Sequence, residues 1–415
     1  MAKIIIIGGG FGGLSFLQKA RKSKNDFILI DKTNHHLFQP LLYQVATAVL
    51  SPADITVPLR NLFKNDKNVK TILSEVKEIN KEKKEITLDN DEVVSYDKLI
   101  VSAGSSYSFF GKNEWSKFAK GLKVINDALD IREKILKAFE KAENEKDERI
   151  RKKYLNFVIV GGGPTGVELA GSIAEIAYKN MTKEFRNFSS TDANIYLLEA
   201  GDRILPSYSE SLAKKSYKYL VDLGVKVMIK ERVENIEEMK VTTNKQVIDA
   251  DNIIWAAGNE ASPLIKHLDT ETDNEGRALV NRDCSIKEDN EVYVIGDAAN
   301  FITASGESLP GIAPVAIQQG RYVAHNIKKN IEKENRKPFK YSDKGTMATI
   351  GRFKAIGVVG NFELAGFTAW LFWSLIHLVY LIGYRSKILV AIEWIFAYFL
   401  NKRGTRLIYR DIDKN

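Results

Sequence analysis

The residues most able to carry chemistry in this sequence are two glycine clusters, each followed at a distance by an acid. The first is GGGFGG at residues 8–13, with the spacing G-x-G-x-x-G at Gly8, Gly10 and Gly13. This spacing gives a tight turn, a close approach of backbone to a pyrophosphate, and close packing of helix on strand. Asp31 follows Gly13 by 18 residues, near the roughly 20 expected for a carboxylate that binds ribose hydroxyls. The predicted chemistry is dinucleotide binding, and the alternative is a plain glycine-rich turn.

The elements around this cluster are those that such a site needs. Ile4–Ile7 predicts a buried parallel strand, and a helical pattern begins at Leu14. A second strand is predicted at Phe27–Ile30, directly before Asp31. A helix that starts at the glycines presents free N–H groups and the positive end of its dipole to phosphate. Because strand, glycines, helix, strand and acid occur in this order, a nucleotide-binding unit is predicted here.

The same pattern returns in the middle of the chain as GGGPTG at residues 161–166. Glu199 ends the strand that follows it, 33 residues beyond Gly166, and the polar stretch 179–193 accounts for the extra length. A carboxylate at this position accepts hydrogen bonds from both ribose hydroxyls and repels a 2′-phosphate, which favours NADH over NADPH. The flanking elements are predicted at Phe157–Val160 (strand), Val167–Tyr178 (helix) and Ile195–Leu198 (strand).

Three further strands end in small residues, where the backbone can approach a ligand. They are Tyr96–Gly104, Ile253–Gly258 and Glu291–Ile295, and the last runs into Gly296-Asp297. An acid at the end of a late strand suits a ribityl or phosphate contact. A plain turn from strand to loop is the alternative for each. The cofactor contacts predicted across both units are Gly8, Gly10, Phe11, Gly12, Gly13, Asp31, Lys32, Ala103, Gly104, Asp297, Ala298 and Ala316, and then Gly161, Gly163, Thr165, Gly166, Glu199 and Gly258.

Composition narrows the class of protein. A chain of 415 residues predicts two or three domains at about 100–200 residues each. The net charge of +8 is consistent with solubility, and no nucleic-acid partner is predicted.

The charged stretch 126–153 is interpreted as a solvated connecting helix. Cys284 is the only cysteine, so an internal disulfide is excluded, no zinc spacing is present, and a reducing compartment is indicated. The N-terminal residues predict a strand and no export signal.

The ordered set of motifs resembles the flavoproteins of the disulfide-reductase superfamily, which bind two dinucleotides. The resemblance implies that the first glycine cluster binds FAD, that the second binds NADH, and that the GD pair at 296–297 completes the FAD site. It also implies an α/β fold with two Rossmann-like domains, the NADH domain being inserted into the FAD domain. The implied boundaries are 1–120 with 260–330 for FAD, 121–259 for NADH, and 331–415 for a C-terminal amphipathic helical region that docks on a membrane.

Within that superfamily the chain resembles the type II NADH:quinone oxidoreductases. The segments that carry this resemblance are NHHLFQPLLYQVA from residue 34, GGGPTGVELAG at 161–171, GDAA at 296–299 and LPGIAPVAIQQGRYVA at 309–324. A single cysteine cannot supply the redox-active pair of the disulfide reductases, and it also counts against the sulfide:quinone oxidoreductases. The implied reaction is hydride transfer from NADH to FAD, followed by two-electron reduction of a membrane quinone without proton pumping.

Two side chains are predicted to act in this reaction. Glu168 lies in the first turn of the second glycine helix, and the resemblance implies that it lies at the nicotinamide; a plain N-terminal acid is the alternative. Gln318 matches the second glutamine of the family motif that lines the quinone site, while Pro314 replaces the first. The alternative is that Gln318 or Gln319 is a buried, hydrogen-bonded structural amide. Pro314 also fits the first turn of a helix, whose free N–H groups at Val315 and Ala316 are predicted to bind a flavin carbonyl.

Two adjacent histidines and two alternative functions were also considered. His35 and His36 are expected to be structural or near the FAD, and no metal site is predicted. The alternative functions are a soluble NADH-dependent ferredoxin or rubredoxin reductase, and a redox-sensing flavoprotein that binds NADH without turnover.

The end of the chain predicts membrane association. Residues 364–384 contain no charge over 21 positions, which is long enough to span a bilayer. We interpret them instead as one amphipathic helix, with Gly366, Trp373, His377 and Tyr384 on one face and leucines on the other. A shorter apolar run covers 388–400. Interfacial docking is predicted, and a true span or a soluble dimer core are the alternatives.

The composition around these runs suits an interface. Aromatic residues favour the membrane interface and basic residues favour anionic lipid. The expected location is the cytoplasmic face of the cell membrane, bound peripherally, and the resemblance implies a homodimer through this region. The residues concerned are Trp370, Trp373, Tyr380, Tyr384, Trp394 and Tyr398 for the aromatics, and Arg385, Lys387, Lys402, Arg403, Arg406 and Arg410 for the basic groups.

Overall fold

The computed structural model of the protein describes residues 1–408. These residues form two compact units, each assembled from three separate stretches of the chain. The first unit contains Met1–Leu37, Val57–Ser106 and Asn259–Asp343; the second contains Phe38–Thr56, Tyr107–Gly258 and the described residues from Lys344 onward. The second unit therefore includes a short segment near the N-terminus and all of the described C-terminal region, which differs from the expected boundaries.

A parallel sheet of five strands forms the centre of the first unit. Its apolar β-branched strands are buried on both faces, as parallel strands between helices are. In the order of the sheet the strands are Val292–Val294, Lys98–Val101, Lys3–Ile7, Asp26–Asp31 and Val69–Leu73. Ile5 sits opposite Ile28 on one neighbour and opposite Leu99 on the other. This register aligns the carboxyl ends of the strands, where the first glycine cluster and Asp31 lie.

The rest of the first unit packs on this sheet. Its helices are Phe11–Ala20, Leu59–Phe63 and Ala313–Lys328. Its smaller strands are the antiparallel set Val76–Asn80, Glu85–Leu88 and Val93–Ser95, and the pair Ala278–Leu279 and Ala299–Asn300. Short strands also occur where the chain passes from one unit to the other, at His35–Leu37, Thr56–Pro58, Ser105–Tyr107 and Asn259–Ala261.

The second unit repeats the plan with its own parallel sheet. The order of strands is Ala119–Lys120, Asn252–Trp255, Asn156–Val160, Asn194–Glu199 and Val225–Ile229. An antiparallel sheet of Val233–Glu237, Lys240–Thr243 and Val247–Asp249 follows. The helices are Leu42–Ala46, Ile125–Asn144, Glu148–Leu155, Pro164–Glu175 and Glu210–Asp222, and a π-helical turn, Ile176–Asn180, extends the fourth of them.

The C-terminal part of the second unit is a small sheet followed by two helices. Thr346–Thr349, Ala355–Val359 and Phe362–Gly366 form the antiparallel sheet, and Phe367–Tyr380 and Tyr384–Tyr398 are the C-terminal helices. Short 3₁₀ helices elsewhere in the two units cover Gln39–Leu41, Pro52–Asp54, Asn113–Lys117, Ser190–Asp192, Pro263–Leu268, Gly296–Ala298 and Lys333–Asn335.

Seven predicted strands are confirmed within two or three residues at each end, but two predicted helices are not. Stretch 126–153 forms two helices instead of one, and the longer buries Ile131, Ile135 and Phe139 on one face. It is therefore amphipathic and not fully solvated. Stretch 364–384 is also broken, because Gly366 ends a strand and Gly383, at φ +86°, separates the two C-terminal helices.

Candidate active site

The first glycine turn places three backbone segments closer together than any side chain would allow. Gly8 has φ +99°, and a Cβ built there would lie 2.2 Å from the carbonyl oxygen of Ser102. A Cβ on Gly13 would lie 2.0 Å from the carbonyl oxygen of Gly8. The helix Phe11–Ala20, named here the first glycine helix, can therefore start directly against the sheet only because these positions are glycine.

The turn leaves space for a phosphate beside the N-terminus of the first glycine helix. Gly10 caps the first glycine helix without any side-chain hydrogen bond, and no atom lies within 4 Å of where its Cβ would be. Gly104, at φ +70°, is equally open at the end of a neighbouring strand. A methyl group at Gly10 would fill the space beside the helix N-terminus. The residues present thus fit the pyrophosphate of a dinucleotide.

Hydrogen bonds from Gly9 and Thr33 hold the Asp31 carboxylate against this turn. Its Oδ2 accepts a hydrogen bond from the Gly9 N–H at 2.5 Å, and its Oδ1 accepts from the N–H and the hydroxyl of Thr33 at 2.6 and 2.7 Å. A carboxylate offers about four lone-pair directions, so three of them are used within the protein. Lys32, its neighbour, extends outward and lies 4.0 Å from Glu75.

The late strand and the helix after it complete the first unit's site. Gly296 has φ +72° and donates its N–H to Gln319 Oε1 at 2.8 Å. Asp297 accepts a hydrogen bond from the Ser105 hydroxyl at 2.9 Å. A Cβ on Gly320 would lie 2.3 Å from the Gly12 carbonyl oxygen, so the helix Ala313–Lys328 packs directly on the first glycine helix. Gln319 is therefore the structural amide that the sequence left as an alternative.

The start of the helix Ala313–Lys328 differs from the prediction. The N–H groups of Val315 and Ala316 both donate to the Ile312 carbonyl, at 3.1 and 3.2 Å. These groups are not free as expected, and their contact with a flavin carbonyl stays a prediction. They are bonded because Ile312, and not Ala313, caps the helix in an extended conformation. Ala316 contacts the Gly296 turn instead, 3.2 Å from where a Gly296 Cβ would lie.

Gln318 uses both ends of its amide on one neighbouring residue. Its Nε2 donates to the Ser342 carbonyl and its Oε1 accepts from the Ser342 N–H, both at 2.9 Å. A quinone contact from this side chain would have to replace one of these hydrogen bonds. The role of Gln318 at the quinone stays a prediction.

The second glycine turn repeats the geometry of the first. Gly161 has φ +112°, and its Cβ would lie 2.6 Å from the Ala256 carbonyl oxygen. A Cβ on Gly166 would lie 1.9 Å from the Gly161 carbonyl oxygen, and Gly163 is open with nothing within 4 Å. Glu199 accepts hydrogen bonds from the N–H groups of Gly162 and Gly201, at 2.7 and 2.6 Å. This turn, too, fits a pyrophosphate beside a carboxylate.

Thr165 and Gly258, which are also predicted to contact the cofactor, have no geometry that requires a ligand. Thr165 is exposed on the first turn of the helix Pro164–Glu175, named here the second glycine helix. At Gly258 the Cβ position is filled by Phe110 and by the Ser108 carbonyl, at 2.7 and 2.9 Å. Packing within the chain therefore explains the glycine at 258, and its contact with a cofactor stays a prediction.

Glu168 lines a narrow polar cavity in the second unit. The cavity lies along the second glycine helix and brings together side chains that are far apart in sequence. Burial raises the pKa of the Glu168 carboxyl to about 8, so this acid holds its proton at neutral pH. Its Oε1 lies 3.5 Å from the Thr349 N–H. The other polar side chains around the cavity are Tyr43, Gln44, Ser172, Glu175, Thr349 and Tyr398.

A chain of hydrogen bonds runs through this cavity, named here the Glu168 network. The Tyr43 hydroxyl bonds the Thr349 hydroxyl at 2.8 Å. The Gln44 Nε2 donates to the hydroxyls of Tyr43 and Tyr398 at 3.0 and 3.1 Å, and its Oε1 accepts from the Trp394 indole at 2.7 Å. Gln44 therefore joins the second glycine helix region to the second C-terminal helix, with its amide fully buried.

A buried ion pair closes the far end of the cavity. Arg403 is buried, donates to Glu175 Oε2 at 3.1 Å and to the Thr47 carbonyl at 2.7 Å, and contacts Ser172. Glu175 lies two helical turns beyond Glu168 and on the same side of the helix. One acid of the cavity is thus paired with a guanidinium, while Glu168 lies without an ion-pair partner within 4 Å in the described chain.

His36 lies at the first glycine turn. Its Nδ1 is 2.9 Å from the Gly9 carbonyl oxygen, and its ring meets the Phe11 ring edge to face at 5.1 Å. His35 contacts Asn34 through Nδ1 at 3.0 Å. Over residues 1–408, no group of three or more His, Cys, Asp or Glu is arranged to hold a metal ion.

The C-terminal helices turn their apolar side chains outward. Trp373 is buried and His377 half-buried, whereas Leu371 and Leu375 are exposed. Neither helix reaches 18 residues, and no described helix is both long and apolar enough to cross a membrane. The exposed apolar set, named here the apolar face, comprises Phe367, Leu371, Phe372, Leu375, Val379, Ile388, Ile392, Ile395, Phe396 and Phe399.

Several residues predicted to meet lipid are inside the protein instead. Trp370, Trp373, Trp394 and Tyr398 are buried, because they form an aromatic cluster between the two helices and the second unit's core. Arg403 is buried for the reason given above. Tyr380 and Tyr384 are exposed as expected, and Arg410 lies outside the described residues.

Comparisons with known proteins agree with this geometry. The family model for pyridine nucleotide-disulphide oxidoreductases matches residues 2–320. The type II NADH:quinone oxidoreductase NdhA of Mycobacterium tuberculosis is 40% identical, over 98% of this chain and 89% of the relative. The type II NADH:quinone oxidoreductase of Staphylococcus haemolyticus is 30% identical, over 88% of this chain and 91% of the relative.

The chain belongs to the type II NADH:quinone oxidoreductases. This family assignment confirms the predicted resemblance, the predicted class of enzyme and the α/β fold with two dinucleotide-binding units. A structure of NDH2 from Plasmodium falciparum with NADH matches the fold at a TM-score of 0.90 and 22% identity, over 99% of this chain and 100% of the other. The sulfide:quinone oxidoreductase of Aquifex aeolicus matches at 0.75 and 16% identity, over 97% and 96%.

Most of the Glu168 network could not be predicted from the sequence. Tyr43 and Thr349 are 306 residues apart, and Gln44 and Tyr398 are 354 apart, so no spacing rule joins them. Glu175 is the exception, because an acid seven residues after Glu168 lies on the same helical face. Arg403 was visible only as one member of a basic cluster, and its buried partner could not be read from that cluster.

Proposed function

We propose that this chain oxidises NADH with a bound FAD and reduces a membrane quinone by two electrons, without pumping protons. The observation that carries the proposal is the pair of glycine turns with matching geometry and matching carboxylates, one in each unit. A single chain that binds two dinucleotides can pass electrons from one to the other. When bound, FAD supplies the two-electron chemistry, since it takes up hydride from NADH and gives the electrons to a quinone.

The first unit is proposed to hold FAD and the second to hold NADH. Each glycine helix offers its N-terminal N–H groups to a pyrophosphate, and Asp31 or Glu199 lies beside the expected ribose. In the second unit Glu199 would repel the 2′-phosphate of NADPH. The proposal therefore includes a preference for NADH.

The atom balance of the reaction requires one proton from the protein or solvent. NADH delivers two electrons and one proton as hydride, whereas the quinol carries two protons, so the second proton has another source. Glu168 is proposed to hold that proton, because its raised pKa of about 8 keeps it protonated at neutral pH and close to the optimum for a general acid. The Tyr43 and Thr349 hydroxyls, bonded to each other at 2.8 Å, line the same cavity.

The apolar face is proposed to dock on the membrane that contains the quinone. Ten large apolar side chains are exposed on this face, and large exposed apolar patches mark sites of interaction with membranes or proteins. Arg385 and Lys402 are exposed near it and are suited to anionic lipid. The proposed location is therefore peripheral, on the cytoplasmic face of the membrane, and a homodimer through the same region is the other use of such a surface.

Anaerobic mixing tests the reaction. NADH is expected to bleach the flavin absorbance of the purified holoenzyme, and a quinone analogue is expected to restore it over many turnovers. Bleaching without reoxidation by quinone would point to a sensing flavoprotein. Reoxidation by ferredoxin or rubredoxin, but not by quinone, would point to a soluble reductase.

Vesicle flotation tests the docking. Leu375→Glu, on the apolar face, is compared with Val247→Glu, on the antiparallel sheet of the second unit; both side chains are 58% exposed. The first variant is expected to lose most of its binding to vesicles containing anionic lipid, and the second is expected to keep it. Equal binding by both variants would rule out the apolar face as the docking surface.

A further inference from the structure

His36 is a buried histidine with one ring nitrogen in use and one without a partner. The side chain is 2% exposed and lies beside the first glycine turn. Nδ1 is 2.9 Å from the Gly9 carbonyl oxygen. The ring also contacts the ring of Phe11, two residues further along the turn. Nε2 is buried and has no hydrogen-bond partner among the residues that the structure describes.

The hydrogen-bond partner of Nδ1 determines whether Nε2 is a donor or an acceptor. A carbonyl oxygen only accepts, so Nδ1 must carry the hydrogen, and Nε2 of the neutral ring is then an acceptor. Burial lowers the pKa of His36, which keeps the ring neutral. A buried acceptor without a donor is unfavourable. The position therefore favours a ligand that brings a donor to Nε2.

The position of His36 limits which ligand group this is. The pyrophosphate expected at Gly10 has oxygens that accept and no hydrogen to donate at neutral pH. The groups on either side of a dinucleotide's pyrophosphate are sugar units, and these carry hydroxyls. Asp31, the expected partner of such hydroxyls, already accepts three hydrogen bonds from Gly9 and Thr33. A second acceptor near the turn is therefore useful.

We propose that Nε2 of His36 accepts a hydrogen bond from a sugar hydroxyl of FAD, next to the pyrophosphate. His36 is then a cofactor-binding residue that discriminates the hydroxylated sugar from a deoxy one. This inference rests on the proposed assignment of FAD to the first unit. It concerns binding and not turnover.

Two substitutions separate the two ring nitrogens. In His36→Asn the amide reaches the position of Nδ1 and can still donate to Gly9, but nothing replaces Nε2. In His36→Gln the longer amide reaches the position of Nε2 and offers an oxygen there. FAD affinity of the apoprotein is measured by quenching of flavin fluorescence. We expect His36→Asn to bind FAD about tenfold more weakly, the size of one lost hydrogen bond, and His36→Gln to stay within about threefold of the original protein.

Two FAD analogues identify the hydroxyl. One lacks both hydroxyls of the adenosine ribose, and the other lacks the hydroxyls of the ribityl chain. The analogue that lacks the partner of His36 is expected to bind the original protein and His36→Asn equally well, while the other analogue keeps the roughly tenfold difference. Retention of the difference with both analogues would overturn the proposal, as would an unchanged FAD affinity in His36→Asn.

Two controls keep the outcome clear. The melting temperatures of the apoproteins show whether His36→Asn still folds. If it does not, the ¹⁵N resonance of Nε2 in the original protein is followed instead, and it must move upfield when FAD binds; no movement would overturn the proposal. Failure of the original protein to bind FAD at all would overturn the proposed function, which is a separate result.

Discussion

The two glycine turns have the same backbone geometry, but the helices that follow them carry different side chains. In both, the first glycine has a positive φ beside a neighbouring strand, and the last would clash with the first at 1.9 to 2.0 Å if it carried a Cβ. In both, an acid at the end of the second strand accepts from the N–H of the middle glycine. Two residues after the last glycine, however, the first helix has Ser15 and the second has Glu168.

This difference gives the two helices different surroundings at the same position. Ser15 is buried in the packing of the first unit. Glu168 faces a polar cavity, and burial raises its pKa to about 8. If Glu168 has the proposed role, the residue two positions beyond the last glycine distinguishes a turn that only binds a dinucleotide from one that also holds a proton.

The largest expected effect comes from exchanging the acid at this position. Glu168→Gln is predicted to slow reoxidation by quinone about 100-fold, the lower end of what a general acid contributes, because an amide cannot release a proton. The matched variant Ser15→Ala is expected to change turnover less than threefold. Stopped-flow measurement of each half-reaction checks this, and unchanged rates in Glu168→Gln would remove Glu168 from the mechanism.

The pH dependence of the same variant sharpens the assignment. In the original protein the quinone rate should fall as pH rises through about 8, because the carboxyl of Glu168 loses its proton there. In Glu168→Gln this step should be absent. A steady-state pH profile at saturating NADH measures it, and an identical profile in both proteins would contradict the assignment.

The open glycines test whether both turns hold dinucleotides in the same way. Gly10→Ala should weaken FAD binding by tenfold or more, because its methyl group fills the space beside the helix N-terminus, while the melting temperature of the apoprotein stays the same. Gly163→Ala should do the same for NADH and leave FAD in place. Calorimetric titration with each dinucleotide checks the pair. Loss of both dinucleotides in either variant would mean that the two turns are not independent.

A smaller effect is expected from the two carboxylates. Glu199→Ala should reduce the preference for NADH over NADPH by about tenfold, since the charge that repels a 2′-phosphate is gone. Asp31→Ala should leave this preference as it is and weaken FAD instead. The ratio of kcat/KM values for the two nucleotides measures the first effect. An unchanged ratio in Glu199→Ala would place this specificity at another residue.

The smallest effect is on stability. Because folding raises the pKa of Glu168 above its ordinary value, the wild-type carboxyl destabilises the folded state progressively as pH rises from about 4.5 to 8. Glu168→Gln should therefore melt a few degrees higher than the original protein at pH 9. The gap should shrink towards pH 5, where both side chains are neutral, and thermal melts at the two pH values test this.

The sequence was sufficient for the parts of the fold that are local. The seven strands, both glycine turns and both carboxylates follow from short patterns, because a strand and the turn after it depend on adjacent residues. The surroundings of Glu168 could not be predicted, since Tyr43, Thr349 and Tyr398 come from distant parts of the chain. The orientation of the C-terminal helices was also out of reach, because Trp373 and Leu375 are both apolar and only packing decides which is buried.

The Arg403–Glu175 pair has a consequence for folding during synthesis. Glu175 leaves the ribosome 228 residues before the arginine that neutralises it. Until then its nearest cation is Lys179, 4.0 Å away and partly in solvent. Without Arg403, the buried Glu175 carboxylate keeps only the Arg352 N–H and Lys179 as partners, so its burial costs more free energy. A chain that stops short of residue 403, through a nonsense codon or proteolysis, would carry a poorly paired buried charge at the end of the second glycine helix and would be a ready substrate for cellular quality control.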